Sequence, residues 1–219
     1  MKKGIFFLAL LVFVTLGAFA ELPPMSAGGG LLFDMSFRNG YEDPFRDWEG
    51  TFTQTVKNTS FGGFGFFDAT FVEANISFAY GFLTYVEKLK GSKNEEDYRE
   101  TEEIGTVMQL GLGIMVKYPF DMGTITVFPL FGINYNFILS GKDTDGNDIS
   151  DVKDFSQFGV LGGLGLDFNL TNNLFLRGSA LLHVRIPSKS SRDQADEIRG
   201  GRPILGFGPL VRLAVGYRF

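Results

Sequence analysis

Residues 204–219 read ILGFGPLVRLAVGYRF, and the whole reading of the chain follows from this stretch. Its odd positions, Leu205, Phe207, Pro209, Val211, Leu213, Val215, Tyr217 and Phe219, are all apolar. Its even positions include Gly206, Gly208, Arg212, Ala214, Gly216 and Arg218, which are small or charged. Alternation of this kind is the period of a two-faced β-strand. The stretch is also longer than the usual strand of a soluble sheet, about 5–6 residues. A strand that crosses a membrane at a tilt takes about 9–11 residues plus whatever projects beyond the bilayer.

The same parity recurs upstream. Between 104 and 118, Ile104, Met108, Leu110, Leu112, Ile114, Val116 and Tyr118 oppose Gly105, Gln109, Gly111, Gly113 and Lys117. Between 124 and 140, Ile125, Val127, Phe131, Ile133, Tyr135, Phe137 and Leu139 oppose Thr124, Thr126, Gly132, Asn134, Asn136 and Ser140. Between 156 and 170, Phe158, Val160, Leu164, Leu166 and Phe168 oppose Gln157, Gly159, Gly163, Gly165, Asp167 and Asn169. The segment 174–186 puts Arg177, Ser179, His183 and Arg185 on its polar face. Segments at about 28–38, 62–73 and 75–86 follow the rule less strictly, which makes eight strands. The expected fold is all-β: a closed, eight-stranded, antiparallel up-and-down transmembrane barrel over residues 28–219. Closure is demanded because hydrocarbon leaves no water to satisfy an open sheet edge.

Connection lengths agree. Long polar connections at 39–61, 87–103, 141–155 and 187–202 alternate with short turns at Glu73-Ala74, 119–123 and 171–173. Long external loops and short periplasmic turns are the arrangement of outer-membrane barrels, with an even strand number and both termini inside.

The N-terminus fits an exported protein. Lys2 and Lys3 precede an uncharged apolar run from Ile5 to Val14, and Ala18-Phe19-Ala20 forms a signal-peptidase site. Residues 1–20 are expected to be a cleaved signal peptide and 21–27 a short periplasmic segment. Cleavage removes two lysines and no acid, moving the formal charge from −5 to −7. That sign argues against nucleic acid. The chain has no Cys, so neither a disulfide framework nor a lipidated N-terminal cysteine is available. Its 25 Phe must either fill the core of a soluble β-sandwich or face lipid outside a barrel, and the long two-faced strands decide for the barrel.

The sequence resembles the small eight-stranded outer-membrane barrels of the OmpX, OmpA-transmembrane and OmpW type, over residues 28–219. Arg212, Ala214, Tyr217 and Phe219 are similar to the C-terminal insertion signal of such barrels, with Ala214 where glycine is usual. The segment Phe66 to Phe71 resembles small barrels of spirochaetes. The resemblance implies a bacterial outer-membrane location, with outer-membrane lipid and the barrel-assembly machinery as partners. An extracellular ligand would be met by the four long connections.

Candidate site residues lie on the polar face. Asp34, Asp68 and Arg212 are expected at one height on the inner wall as an ion-pair cluster, with Arg212 paired to at least one of the two aspartates, because buried charges need partners. His183 is the single histidine, too few for a zinc site, and no catalytic set accompanies it. No enzyme activity and no cofactor are expected. Asp143, Asp145, Asn147 and Asp154 match part of a calcium loop, although Asp-Gly-Asn is also good turn chemistry. Trp48, near Tyr41 and Phe45, reads as an interfacial anchor. Pro129 and Pro209 inside strands point to bulges. The expected role is a structural or surface-interaction barrel with a largely filled lumen. The alternative is a narrow channel for small apolar solutes, lined by Leu32, Phe66, Leu83, Leu130, Leu161 and Leu210.

Overall fold

The computed structural model describes residues 24–44, 51–90, 98–149, 156–186 and 205–219. They form nine strands and no helix: β1 Met25–Pro44, β2 Thr51–Ala69, β3 Val72–Lys90, β4 Tyr98–Lys117, β5 Phe120–Asp121, β6 Ile125–Asp143, β7 Gln157–Asn169, β8 Leu174–Ile186 and β9 Gly206–Arg218. Every neighbouring pair is antiparallel, β1 pairs with β9, and β4 pairs with β6, so the sheet closes. The ninth strand is a fragment of the eight-stranded wall. Lys117 faces Leu130 and Phe120 faces Val127 in unbroken register, so β5 continues β4 past Tyr118-Pro119. Pro119 and Pro129 each lack an N–H at this point of the ladder, and Tyr118 N donates to Pro129 O at 3.4 Å.

Period-2 alternation becomes two opposite surfaces. In β4, Ile114 is 57 % exposed on the outer face while Met115 next to it is 0 % exposed inside. Phe61, Phe131, Leu164, Leu213 and Val215 likewise face outward. Phe64, Phe66, Phe128, Phe175 and Leu161 fill the interior. Aromatic side chains ring the end that carries the short turns: Phe71 against Tyr118, Tyr118 against Phe120, and Phe67 against Phe219 at 6.3 Å. Further up the wall, Phe37 meets Phe207 and Tyr135 meets Phe137. This is the aromatic girdle expected where a barrel meets the two bilayer interfaces.

The strands are steeply staggered. Stepping across partners from Gly28 runs through Phe66, Asn75, Gly113, Asn134, Gly159, Arg185 and Gly206, and returns to β1 at Arg38, ten residues along. Stagger of this kind is what closure requires of tilted strands, and eight strands leave an interior that side chains just fill.

Several boundaries differ from the sequence expectation. β1 begins at Met25, inside the segment expected to precede the barrel. The β2–β3 connection is the two-residue turn Thr70-Phe71, so Glu73 and Ala74 lie in a strand. Thr70 takes φ 52°, Phe71 N donates to Ala69 O, and Thr70 Oγ1 donates to Pro24 O, which together make so short a reversal. Most of 39–61 and 87–103 is paired strand rather than loop, because β1 to β4 run 19–20 residues. Their tips at 45–50 and 91–97, with Trp48, lie outside the described residues, as do 150–155 and 187–204.

Pro129 and Pro209 do not make bulges. Register shifts occur instead at Asn39/Glu42, Leu83/Thr84 and Met108/Gln109. Gly105 sits at the second of these with φ 149°, a backbone that side-chain-bearing residues rarely adopt. Pro209 instead interrupts the β1–β9 ladder for two positions without changing its register. The strands stay in contact there, since a Cβ on Gly208 would stand 1.8 Å from Met35 O.

The outward face can be tested at Leu213, 64 % exposed near the middle of β9. Leu213→Arg is expected to lower stability by about 2–4 kcal/mol, the cost of an arginine at the bilayer midplane. Urea unfolding from lipid vesicles measures it, and an unchanged midpoint would mean this face does not meet hydrocarbon.

Candidate functional site

Inside the barrel, the polar face of the strands supplies two charged groups. The larger lies toward the short-turn end and is organised by Arg177 of β8. Its Nε donates to Asp167 Oδ1 at 2.7 Å and its Nη2 to Asp167 Oδ2 at 2.8 Å, a two-pronged contact to its cross-strand partner on β7. Nη2 also reaches Asp68 Oδ2 at 2.8 Å, and Nη1 reaches Glu73 Oε2 at 2.9 Å across the lumen. Arg212 Nη1 donates to the other Glu73 oxygen at 3.0 Å, and its Nε to Ser179 Oγ at 3.0 Å. Lys117 pairs with Asp68, and Arg218 lies 3.7 Å from Asp167. Three buried acids, Asp68, Glu73 and Asp167, thus meet three buried bases, Lys117, Arg177 and Arg212.

Aromatic rings complete this layer. The Arg177 guanidinium lies 4.4 Å from the Phe66 ring centre and 5.1 Å from those of Phe128 and Phe175. Arg212 lies over Phe64 and Lys117 over Phe128. Ring faces are negative, so these contacts favour cations that have left water.

The second group lies toward the other end of β8. Asp34 pairs with Arg185, whose Nη1 donates to Ser36 Oγ at 2.8 Å and whose Nε donates to His183 Nδ1 at 3.3 Å. His183 Nδ1 is 3.9 Å from Asp34 Oδ2. Between the two groups runs a neutral belt in which Gln109 Nε2 donates to Ser60 Oγ and Asn134 Nδ2 to Asn136 Oδ1.

The expected triad therefore separates. Asp34, Asp68 and Arg212 are all buried inside, but Arg212 pairs with Glu73, and no ion pair joins it to either aspartate among the described residues. The reason is height. Asp68 faces Ser26 near the short-turn end, whereas Asp34 faces Ser60, eight positions back along β2 from Asp68. The sequence pattern sets the β2–β3 turn three residues too late, and the height of a residue across strands depends on a stagger that no single strand carries. The same error hid Glu73, 0 % exposed, which the sequence reading put in a turn. Lys117, Asp167, Arg177 and Arg185 stood on the inward parity and were legible as interior residues, though not as partners.

At the C-terminus, Arg212 and Ala214 are buried, while Tyr217 and Phe219 face outward. Phe219 N donates to Met25 O at 3.1 Å, tying the last residue to the first strand. In the 143–148 turn, Asp143 accepts hydrogen bonds from Asn147 N at 2.8 Å and Asn147 Nδ2 at 3.1 Å. Those two bonds hold the Asp143 carboxyl below its ordinary value. Asp154 lies outside the described residues, and no group of three acids or histidines poised for a metal occurs among those described.

Arg177 serves three carboxylates, Arg212 only one. Arg177→Ala is therefore expected to cost about 3–5 kcal/mol, as buried carboxylates lose their partner. Arg212→Ala should cost less, because Glu73 keeps Arg177. Equal unfolding midpoints for the two variants would contradict the network drawn here.

Among similar solved structures is Ail, the attachment invasion locus protein of Yersinia pestis, solved with the heparin analogue sucrose octasulfate. It is 14% identical with a TM-score of 0.42, and the alignment covers 90% of this chain and 99% of that one. The outer membrane protein W of E. coli is 14% identical at 0.41, covering 92% and 100%. A major outer membrane protein of Thermus thermophilus is 17% identical at 0.36, covering 87% and 99%. No curated protein matches the sequence. Residues 6–219 match the outer membrane protein beta-barrel domain, and with a closed eight-stranded wall around a charged interior the chain belongs to that outer-membrane family.

Proposed function

We propose that the protein is a surface-interaction barrel, anchored by its wall and acting through what stands above the bilayer rather than by passing solutes. The observation that carries this reading is the closed layer around Arg177. Six buried charges of balanced sign, packed among Phe64, Phe66, Phe128 and Phe175, fill the lumen toward the short-turn end. Forcing an ion past them would strand at least one buried charge, at a cost of several kcal/mol. The outer side carries the complementary feature. Described strands β7, β8 and β9 span 13 residues each, whereas β1 to β4 span 19–20. The excess of β1 and β2 continues as paired sheet from Arg38/Val56 to Pro44/Thr51, and that of β3 and β4 to Leu89/Tyr98. Such a wall presents a broad surface to an extracellular ligand.

A narrow channel for small apolar solutes is the second reading, favoured by the Pro209 interruption of the β1–β9 ladder and the inward Leu32, Leu130, Leu161 and Leu210. Planar-bilayer recording of the refolded protein separates the two. The surface-interaction reading expects no steady conductance from the wild-type barrel. Discrete, persistent openings would overturn it in favour of a pore.

Export and assembly follow the same reading: a leader over 1–20 cleaved before Glu21, and Phe219 as the terminal aromatic that the assembly machinery recognises. Deleting Phe219 is expected to reduce the outer-membrane amount severely, with the protein degraded or left in the periplasm. Quantitative blotting of membrane fractions checks this, and wild-type levels of the truncated chain would refute it.

A further inference from the structure

Between the two charged groups lies a cavity of about 30 Å³, walled by Leu32, Phe64, Leu161 and Leu210 and by a set of polar side chains. A second observation points into it. Among the described residues, five buried polar side-chain atoms have no hydrogen-bond partner: Asp34 Oδ1, Asp68 Oδ1, Asn75 Nδ2, Asn134 Oδ1 and His183 Nε2. Four of the five belong to residues that line this one cavity. Asp34 and His183 are themselves 5 % and 1 % exposed. Unsatisfied buried groups cost about 1–3 kcal/mol each, so their gathering at a single point calls for an occupant.

The chemistry of the four atoms defines that occupant. Arg185 Nε donates to His183 Nδ1, so Nδ1 accepts and the ring proton sits on Nε2. His183 Nε2 and Asn75 Nδ2 are then donors, while Asp34 Oδ1 and Asn134 Oδ1 are acceptors. A cation would use only the acceptors, and an anion only the donors. Charge argues the same way, since Asp34 is paired with Arg185 and Arg212 with Glu73. A neutral molecule that both donates and accepts uses all four. Gly159 lets the two tips approach each other: a Cβ there would stand 2.2 Å from Asn134 Oδ1 and 2.2 Å from His183 Nε2 and would displace both. At roughly 10–15 Å³ per water, the space suits two.

We propose that this cavity is a built internal site for about two water molecules, held by His183, Asn134, Asn75 and Asp34. The site wets the middle of the lumen above the Arg177 layer. The interior is thus hydrated at mid-height.

A crystal structure of the full barrel at a resolution that shows ordered water tests this. Expected is density within about 3 Å of both His183 Nε2 and Asn134 Oδ1, at hydrogen-bond distance. Gly159→Ala should abolish the peak between those two atoms. If that variant fails to fold, Asn134→Leu fills the same notch from the partner strand and should do likewise. Three outcomes overturn the proposal: His183 and Asn134 turned to bond each other with no density between; an ion contacted by acceptors alone; or a peak that persists unchanged in the filled variants.

Discussion

A strand surrounded by hydrocarbon has no water to bond its N–H and C=O groups, so the sheet must close on itself. Closure then fixes the rest. Eight strands with a ten-residue stagger enclose a space that side chains fill, and each strand turns one face to that space and the other to lipid. The outer face has no choice but to be apolar, and Leu31, Ile114, Phe131 and Leu213 obey. The inner face is where the sequence has latitude, and there it chose charges.

That choice has a physical logic. Had the interior been apolar too, each 13-residue strand would read as an unbroken hydrophobic run, and an exported chain of such runs approaches the stretch that inserts as a helix. Polar and glycine residues at every second position avoid this, and among the described residues no helix long and apolar enough to cross a membrane forms. The penalty is desolvation of the charges. Arg177 offsets it by spreading one guanidinium over Asp68, Glu73 and Asp167 while resting on three phenylalanine rings. Ordering one side chain for several pairs costs less conformational entropy per contact than ordering a new side chain for each.

What the sequence made legible was everything local. Alternation gave fold class, strand count and the facing of Arg177, Arg212, His183 and the outer aromatics, because parity needs only neighbours along one strand. What it hid was the relation between strands. Pairing across the lumen depends on stagger, a property of closure that no single strand encodes, so Arg212 was matched with Asp34 and Asp68 rather than Glu73. Turn placement failed for a related reason. Thr70-Phe71 carries no Gly, Asn or Pro, and its reversal relies on a positive φ at threonine braced by Pro24 O, a contact from the residue that leads into the first strand. Glu73, displaced by that misplaced turn, is one of the most deeply buried charges of the barrel.

The three register shifts connect wall to surface. They fall at Asn39/Glu42, Leu83/Thr84 and Met108/Gln109, the first two toward the ends of β1 and β3 away from the short turns and the third at the middle of β4. Between these shifts and the short turns the ladders keep one register, although the β1–β9 ladder lapses for two positions beside Pro209. A bulge bends its strand and sharpens the local twist, and bulges are commonest at sheet edges and barrel rims. A slip of one residue lower down would turn the apolar set inward and the charges to lipid, so the shifts stay clear of the layer around Arg177. Past these shifts β1 to β4 continue as paired sheet, so the strands that supply Asp34, Asp68, Glu73 and Lys117 to the interior also carry the longest ladders of the barrel.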